Sequence, residues 1–401
     1  MTAYDVITVG GGLGGAALAK TMADRGARVL VLERTREFRD RVRGEVLVPW
    51  GCIEAERLGL YDLLHDSIGH ELPVWKSELL GIPMFERDLR TTMRSRRPVI
   101  TYFHPAMQRC LLGNAEDAGA VVRRGVVVKG VRSGTVLTVR YDCGGRVEEA
   151  SARLVVGADG RGSSVRRWGG FETQTDPRQR LFAGVLMDNL PAPEDTLHSR
   201  FNPNDGLMSW LFPQGDGRVR AYVGSHADSD VGRLQGGASM TRFVDLSVGL
   251  GVPKDYFEHA EAAGPLASFD ATDSWVEHPF RDGVALIGDA AATSDPTWGQ
   301  GMSLALRDVR VLADALAKDD DWDRAGHAYA DAHDEAYHAS RTTDGWYTDL
   351  LLGVGPEADR RRERALPLLA DDPTRVPDTP FDGPEIIPDE EARRRFFGED
   401  V

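Results

Sequence analysis

The stretch VITVGGGLGG at residues 6–15 decides the first part of the fold. Val6–Val9 form an apolar run typical of a buried strand, and Gly10, Gly12 and Gly15 fit the G-x-G-x-x-G pattern. Such glycines allow a tight turn, leave room for a pyrophosphate against bare backbone, and let the next helix pack closely on the strand. This stretch therefore predicts a dinucleotide-binding loop.

The residues that follow the loop strengthen this prediction. Ala16–Lys20 begin a predicted helix, and the amides at the N-terminus of such a helix face the phosphates of a ligand. A second apolar run, Val29–Leu32, ends at Glu33. This acid lies roughly 20 residues beyond the glycines, where an acid accepts hydrogen bonds from a ribose diol. The alternative, a glycine-rich turn without a ligand, leaves the position of the acid unexplained.

Length and charge exclude several classes of protein. The 401 residues, 41% of them hydrophobic, suit two to three domains or one large interleaved domain. The formal net charge is −15 without a basic block, which argues against binding to nucleic acid or to an anionic membrane surface. No stretch reaches the roughly 18 apolar residues of a membrane span. Because no export signal precedes the first strand, we expect a cytoplasmic protein.

Cysteine and histidine positions give no sign of a disulfide framework or a metal site. Cys52, Cys110 and Cys143 are scattered, as in a reducing compartment. The ten histidines show neither an H-E-x-x-H motif nor another regular spacing of metal ligands. We therefore expect no metal.

The dinucleotide-binding fold is expected to be interrupted along the chain. Its strands are predicted at residues 4–9, 28–33, 154–158 and 284–288. Between the last two strands, residues 171–275 hold several segments typical of an antiparallel sheet. The predicted fold class is therefore α/β, with an α+β insert.

Three parts of the chain are predicted from this arrangement. The Rossmann-like binding domain is discontinuous and comprises residues 1–72, 99–170 and 276–320. The inserted β-sheet domain, expected to bind the substrate, comprises residues 73–98 and 171–275. Residues 321–401 are expected to form C-terminal helices and a proline-rich tail that lies over the surface, with one short helix near Glu390–Phe397.

The spacing of apolar residues predicts the remaining helices and strands. Apolar residues at helical spacing predict helices at residues 46–64, 105–118, 240–250, 302–317 and 322–353. Short apolar runs predict a small meander of strands at residues 121–122, 126–131 and 136–141.

Two further motifs carry a family resemblance. The first is GADGRGSSVR at residues 157–166, and the second combines Gly288-Asp289 with Pro296 and with GQGM at residues 299–302. Together with the glycine loop at residues 6–15, and in this order, they resemble the FAD-dependent monooxygenases with the para-hydroxybenzoate hydroxylase fold, the class A flavoprotein hydroxylases. The resemblance covers about residues 1–320.

The resemblance implies how FAD would lie. Asp289 would accept a hydrogen bond from a ribityl hydroxyl. The helix that begins near Gly301 would direct its positive end at the flavin pyrimidine and stabilise the charge of the reduced ring. The implied cofactor-binding residues are Gly10, Gly12, Leu13, Gly14, Gly15, Glu33, Arg34, Arg43, His104, Gln108, Val128, Asp159, Gly288, Asp289, Pro296, Gly299, Gln300, Gly301 and Met302.

Other interpretations of some of these residues stay open. Asp159 and Asp289 could instead cap the helices that follow them, and Arg43 could be a solvated arginine. His104 stands where the family usually has Arg or Gln, with Gln108 and Arg109 as rival candidates on the same helix.

The resemblance also implies the chemistry. NAD(P)H, as a transient co-substrate, or a partner flavin reductase would reduce the flavin, and O2 would form a C4a-hydroperoxide that oxygenates an aromatic or polyketide-like small molecule. Arg43 and Pro296 are the residues implied closest to the ring, while Trp210, Tyr222 and Trp298 are expected in the substrate pocket. The oligomeric state stays undetermined.

Four alternatives share parts of this pattern. A flavin-dependent halogenase would have only Lys76 as its candidate halogenating lysine. A geranylgeranyl-reductase-type flavin oxidoreductase would keep the same motifs. A non-catalytic relative, such as the prenyl-binding GDI proteins, would not need the intact Gly288-Asp289 and Gly299–Gly301 segments. A simple NAD dehydrogenase would have no use for them either.

Overall fold

A computed structural model describes residues 2–42, 44–132, 134, 136–177, 179–386 and 388–401. Arg43, one of the predicted site residues, lies outside the described residues. The α-helices are α1 (Leu13–Asp24), α2 (Pro49–Arg57), α3 (Tyr61–Ile68), α4 (Leu89–Thr92), α5 (His104–Asp117), α6 (Ser164–Trp168), α7 (Met240–Gly249), α8 (Gly301–Lys318), α9 (Trp322–Leu351), α10 (Pro356–Asp371), α11 (Thr379–Asp382) and α12 (Glu390–Phe397).

The strands are distributed over the whole chain up to α8. They are β1 (Thr2–Val9), β2 (Val29–Glu33), β3 (Val46–Leu47), β4 (His70–Leu72), β5 (Val74–Leu79), β6 (Ile82–Asp88), β7 (Val99–Thr101), β8 (Val121–Arg124), β9 (Val126–Arg132), β10 (Leu137–Cys143), β11 (Arg146–Gly157), β12 (Gln174–Thr175), β13 (Arg180–Asp188), β14 (Thr196–Asn202), β15 (Leu207–Pro213), β16 (Val219–His226), β17 (Glu261–Ala262), β18 (Ala267–Ala271), β19 (Ser274–Trp275), β20 (Phe280–Arg281), β21 (Val284–Leu286) and β22 (Ala292–Thr293).

The first large sheet contains the four strands that the sequence predicts for the dinucleotide-binding fold. Its order is β20-β21-β11-β1-β2-β8, and the neighbours from β21 to β8 are parallel. In register, Val6 lies opposite Leu154 on one side and Val29 on the other. The predicted α/β class and the interruption of this fold along the chain are therefore confirmed.

Both faces of this sheet are covered, which explains its nearly continuous apolar strands. Helices α1, α5 and α8 pack on one face, where Val6, Leu18, Met107 and Leu312 are buried together. The meander β9-β10-β11 covers the other face. Residues 121–122, predicted as part of the meander, belong instead to β8, which pairs in parallel with β2. The third strand of the meander is β11, which continues directly into the parallel sheet.

The second large sheet is mostly antiparallel and is formed by the predicted insert. Its order is β17-β13-β16-β15-β14-β5-β6, and β18 also pairs with β13, at residues 180–184. Strand β14 joins β5 and β6 to the sheet through a parallel pair with β5. The domain boundaries themselves stay a prediction.

Two local predictions were wrong. Residues 46–64 were expected to be one helix, but they contain β3, α2 and the first turn of α3, because Pro49 suits the first turn of a helix and Gly59 has a φ of 64°. The tail beyond Pro356 was expected to lie over the surface with one short helix at Glu390–Phe397. That helix is confirmed, but α10 and α11 are additional.

The tail is packed into the body of the protein. Phe381 and Phe396 are buried, and Phe381 lies against Trp75 of β5, with ring centroids 4.3 Å apart. Arg87 of β6 donates to both carboxylate oxygens of Asp378, at 2.8 and 3.1 Å. The sequence could not anticipate these contacts because the tail's partners are almost 300 residues away along the chain.

No helix in the described part of the chain is long and apolar enough to span a membrane. Nor do the described residues contain a group of three or more His, Cys, Asp or Glu side chains that could hold a metal ion.

Candidate active site

One large cavity connects the two large sheets. Its volume is about 540 Å³, and it extends from the loop after β1 to the sheet of the insert. At the first end its lining includes the glycine-rich loop after β1, and at the other end it is lined by aromatic side chains. Most of the predicted cofactor residues line it, namely Gly10, Gly12, Leu13, Gly14, Glu33, Arg34, His104, Gln108, Val128, Asp159, Gly288, Asp289, Pro296, Gly299, Gly301 and Met302.

The glycines of the first motif perform two separate tasks. Gly10 has a φ of 104°, and a Cβ there would lie 2.3 Å from the carbonyl oxygen of Ala158. A Cβ on Gly15 would lie 2.0 Å from the carbonyl oxygen of Gly10, so this glycine lets α1 pack on the strand. Gly15 does not line the cavity, and its assignment as a cofactor contact is corrected to a packing role.

The start of α1 fits the phosphates of a dinucleotide. The N-cap residue, Gly12, makes no side-chain capping bond, so the first amides of α1 keep their hydrogen-bonding capacity at the cavity wall. A Cβ on Gly12 would meet only the amide nitrogen of Gln108, at 3.8 Å. Bare backbone at an uncapped helix N-terminus is the surface that a pyrophosphate requires, so these residues fit FAD.

Glu33 is held in one orientation by the backbone around it. Its Oε2 accepts from the amide of Gly11 at 2.7 Å and its Oε1 from the amide of Thr35 at 2.6 Å. The residue is buried but lies on the cavity wall. Since a carboxylate oxygen can accept more than one hydrogen bond, both oxygens can still accept from a ribose diol.

Asp159 is a helix-capping residue. Its side chain accepts from the hydroxyl of Ser163 at 2.5 Å and from the amides of Ser164 and Val165 at 2.7 and 3.2 Å. The carboxylate thereby orders the start of α6, while the backbone of residues 158–162 lines the cavity. Of the two roles that the sequence left open, capping is the one that the structure describes.

The Gly-Asp motif forms a turn after β21. Gly288 has a φ of 55°, and its amide donates to Oδ2 of Asp308 on α8 at 2.8 Å. The next residue, Asp289, lies in a 3₁₀ turn (Gly288–Ala290) on the cavity wall.

The second glycine-rich loop precedes α8. A 3₁₀ turn at Pro296–Trp298 ends at Gly299, whose φ of 69° is left-handed, and α8 starts at Gly301 without a side-chain cap. Gln300 was predicted to bind the cofactor, but its side chain is buried away from the cavity. It accepts from the Trp50 indole at 2.9 Å and donates to the carbonyl oxygens of Trp298 and Pro380 at 3.1 and 3.0 Å, so it braces the loop instead.

His104, at the start of α5, lines the same cavity. Its Nδ1 lies 2.7 Å from the carbonyl oxygen of Gly44, so the imidazole is tied to the segment just after Arg43. Gln108, one helical turn further, lies on the cavity wall too, whereas the rival candidate Arg109 does not.

The aromatic end of the cavity contains the three side chains that the sequence predicts there. Trp210, Tyr222 and Trp298 all line it. Ring contacts order them, since Trp210 stacks on Phe212 with centroids 5.8 Å apart and Trp298 lies 5.1 Å from Tyr347 of α9. The indole nitrogen of Trp210 is buried and has no hydrogen-bond partner.

Five further aromatic residues at this end were missed from the sequence. They come from β5, β13, β15, β18 and α11, and are Trp75, Phe182, Phe212, Phe269 and Phe381. The alternation of side chains along the strands could have indicated the first four of these residues. No local pattern indicates the fifth, Phe381.

A buried line of polar groups starts at this aromatic end. The Tyr222 hydroxyl donates to Oε2 of Glu45 at 2.6 Å, and Nε of Arg220 lies 3.2 Å from Oε1 of the same carboxylate. The same Arg220 side chain, fully buried, donates from one nitrogen to both oxygens of Asp40 at 2.8 Å. Glu45 lines the cavity, although the sequence did not single it out.

Burial has the largest effect on the pKa values of Glu45 and Tyr222. Loss of water raises the pKa of Glu45 above its usual range, although Arg220 and the hydrogen bond from Tyr222 oppose that rise. Burial, followed by the charge of Glu45, also raises the pKa of Tyr222 well above that of an ordinary tyrosine. The carboxyl of Glu45 therefore holds a proton to higher pH than a surface glutamate does.

Comparison with known proteins identifies the class. Residues 3–347 match the family described as FAD binding domain, FAD_binding_3. The digeranylgeranylglycerophospholipid reductase of Methanothrix thermoacetophila is 28% identical over 348 residues, 79% of each chain. Squalene epoxidase 3 of Arabidopsis thaliana is 29% identical over 79% of this chain and 60% of its own length.

Solved structures show the same fold. The flavin-dependent brominase Bmp2 superposes with a TM-score of 0.79 at 18% identity, covering 100% of this chain and 99% of its own. The p-nitrophenol 4-monooxygenase PnpA of Pseudomonas putida DLL-E4 gives 0.76 at 18% identity, covering 100% and 98%. The chain therefore belongs to the FAD binding domain family and has the class A flavoprotein hydroxylase fold. It is an FAD-dependent oxidoreductase.

Proposed function

We propose that this protein is a monooxygenase that inserts one oxygen atom of O2 into an aromatic or polyketide-like small molecule. NAD(P)H, or a partner flavin reductase, is the electron source. The net reaction consumes substrate, O2, NAD(P)H and a proton, and gives the oxygenated product, NAD(P)+ and water. FAD, when bound, supplies the redox chemistry and the activation of O2. The observation that carries the proposal is the continuous cavity, which joins a bare-backbone cradle to an aromatic chamber.

The aromatic chamber suits a planar, largely apolar substrate. Its wall offers the faces of aromatic rings for stacking. Apolar walls also exclude water, which protects a reactive oxygen donor from side reactions. The predicted pocket residues Tyr222 and Trp298 belong to this chamber.

Glu45 and Tyr222 act on the proton of a substrate hydroxyl. A substrate hydroxyl in the chamber donates to the Tyr222 oxygen, and the phenol proton passes to Oε2 of Glu45, 2.6 Å away. Because the raised pKa of Tyr222 disfavours its ionised form, its oxygen takes the proton of the substrate hydroxyl as its own proton moves to Glu45, so that Tyr222 remains neutral. A substrate oxygen that loses its proton pushes electron density into its ring, which makes the ring more reactive toward an electrophilic oxygen.

Turnover under air tests the proposal. The FAD-loaded protein is incubated with NADH or NADPH, with and without an added flavin reductase, and with p-nitrophenol and a panel of other phenols. We expect O2 uptake coupled to a product whose mass rises by one oxygen atom. O2 uptake that yields only hydrogen peroxide with every aromatic compound would argue against the proposed substrate class.

A second candidate is a reductase or epoxidase that acts on an isoprenoid chain. The specific observation that favours it is the similarity to the two relatives named for isoprenoid lipids, at 28% and 29% identity. Squalene and a geranylgeranyl lipid serve as probes. Anaerobic addition of two hydrogen atoms supports a reductase, whereas oxygen addition that requires air supports an epoxidase.

A further inference from the structure

We propose that α9 acts as a splint that sets the position of residues 286–298, the segment that carries the Gly-Asp turn and the loop before α8. We call residues 286–298 the flavin segment. The inference concerns cofactor binding alone, so it stands whether or not the substrate proposed above is correct. None of the α9 residues that make these contacts was singled out by the sequence motifs.

The contacts between α9 and the flavin segment follow one another in chain order. The Tyr329 hydroxyl donates to the carbonyl oxygen of Leu286 at 2.6 Å, at the start of the segment. Tyr337 donates to the carbonyl oxygen of Thr293 at 3.1 Å, in its middle.

At its end, the Trp298 indole donates to the Thr348 hydroxyl at 3.2 Å. The helix and the segment therefore run side by side, and one rigid element fixes three separated points of the other.

The central contact of the splint acts through α8. Nδ1 of His333 lies 2.8 Å from Oδ1 of Asp308, and Oδ2 of the same carboxylate accepts from the amide of Gly288 at 2.8 Å. The imidazole thus orients the carboxylate that holds the Gly-Asp turn. His333 touches neither the turn nor the cavity, so it is a positioning residue.

The spacing on α9 gives the splint its rigidity. Tyr329, His333 and Tyr337 are four residues apart, which places them on one face of the helix. Their rings contact in series, with centroids 6.0 and 6.1 Å apart, and the planes of the last two differ by only 7°. All three are buried. Movement of one ring would therefore disturb its neighbour.

The turn needs this support because its conformation is demanding. Gly288 has a left-handed φ of 55°, and a Cβ there would lie 3.1 Å from the Cβ of Ala305. Its amide bonds to a carboxylate instead of a neighbouring strand. Since Asp289 follows directly and lines the cavity, the hydrogen bond at Gly288 determines where that side chain stands.

Charge makes the splint sensitive to pH. Burial lowers the pKa of His333, but the Asp308 charge and hydrogen bond, with help from Asp334, outweigh burial and the opposing Arg307, and raise it above its ordinary value. Glu277 also faces this imidazole. Because the folded-state pKa is raised, the stabilisation is complete below the ordinary histidine pKa of about 6.5. It is lost as the pH rises through the folded-state value.

FAD titration of the apoprotein, followed by flavin fluorescence, tests the splint without reference to turnover. At pH 6, we expect His333→Leu to raise the Kd for FAD about tenfold and Tyr337→Phe to raise it about threefold. His333→Asn keeps a donor to Asp308 and retains most of the affinity. Half-buried His338, on the same helix, has its ion pair with Glu277 and no bond to Asp308, so it provides the control, and His338→Asn should leave the Kd unchanged.

The pH dependence of the Kd for FAD distinguishes a positioning role of His333 from a general effect on stability. The wild-type Kd should increase as the pH rises through the raised pKa of His333, whereas the Kd of His333→Asn should not change with pH in that range. Deuterium uptake of the His333→Leu apoprotein should rise in residues 286–293 and remain unchanged in β16. If His333→Leu does not fold, the pH dependence of the Kd for FAD in His333→Asn tests the inference.

Either of two results would overturn the inference. One is an unchanged Kd in folded His333→Leu. The other is a pH profile of His333→Asn that is identical to the wild type.

Discussion

The two ends of the cavity are built in different ways. The cofactor end is formed by backbone from short motifs, as at Gly10 and Gly12, where a turn and a helix start lie within three residues. The substrate end is formed by side chains from β5, β13, β15, β16, β18 and α11. The difference teaches that a ligand of fixed shape is held by locally encoded backbone, whereas a variable ligand is held by side chains that only the fold assembles.

The largest effect is expected from a substitution in the glycine loop at the cofactor end of the cavity. Gly10→Ala would place a Cβ 2.3 Å from a carbonyl oxygen, in a left-handed conformation, so we expect FAD binding to weaken by more than about a hundredfold. FAD titration of the purified apoprotein measures this. Gly26 is the matched control, since its φ of 85° is also left-handed but no atom lies within 4 Å of its Cβ position. Gly26→Ala that weakened FAD binding equally would contradict the steric explanation.

The second prediction tests the polar side of the aromatic end. Glu45→Gln should lower the rate of phenol oxygenation by about a hundredfold, because it removes the proton acceptor. Since burial raises the pKa of Glu45, the wild-type rate should rise with pH through a value above the usual glutamate range, and the variant should lose this rise.

A binding measurement checks the same residue independently of turnover. The phenolate absorbance of bound p-nitrophenol should appear at higher pH in the wild type than in Glu45→Gln, because the charge of the Glu45 carboxylate opposes a second negative charge beside it. Glu78→Gln, at an ion pair with Arg200 outside the cavity, is the control. Identical titrations of the bound phenol in wild type and Glu45→Gln would rule out Glu45 as the acceptor.

The third prediction concerns the contribution of the tail to the substrate end. Phe381→Leu should raise the KM of an aromatic substrate about threefold, with little change in the Kd for FAD, because only one ring face of the chamber is lost. Phe397→Leu is the control, since Phe397 is buried in the same tail but does not line the cavity. A parallel change in FAD affinity would mean that the two ends are not independent.

The smallest effect is expected at Lys76. Its ammonium lies 3.0 Å from Glu86, and none of the described residues that line the cavity is a lysine. Lys76→Met should therefore leave oxygenation within about twofold of the wild type, as for other surface substitutions. Halide-dependent formation of a halogenated product that Lys76→Met abolishes would instead support the halogenase alternative.

Much of the cofactor end could be predicted because its signals are local. The spacing from Gly10 to Glu33 and the Gly288-Asp289 pair locate most of the cavity wall at that end. The errors there have a common cause. A motif shows which residues belong together but not which way each side chain points, so Gly15 and Gln300 were assigned to the cofactor although they pack the loop and the helix.

The sequence by itself determined the α/β class, the positions of four strands of the interrupted dinucleotide-binding fold and the position of the glycine cradle, because backbone turns and apolar periodicity depend on neighbouring residues. The tertiary structure alone decided that Phe381 closes the chamber, that Glu45 meets Tyr222, and that α9 lies along the flavin segment. Each of these contacts joins residues far apart in the chain. Their distances follow from how the sheets and helices pack, which no local pattern specifies.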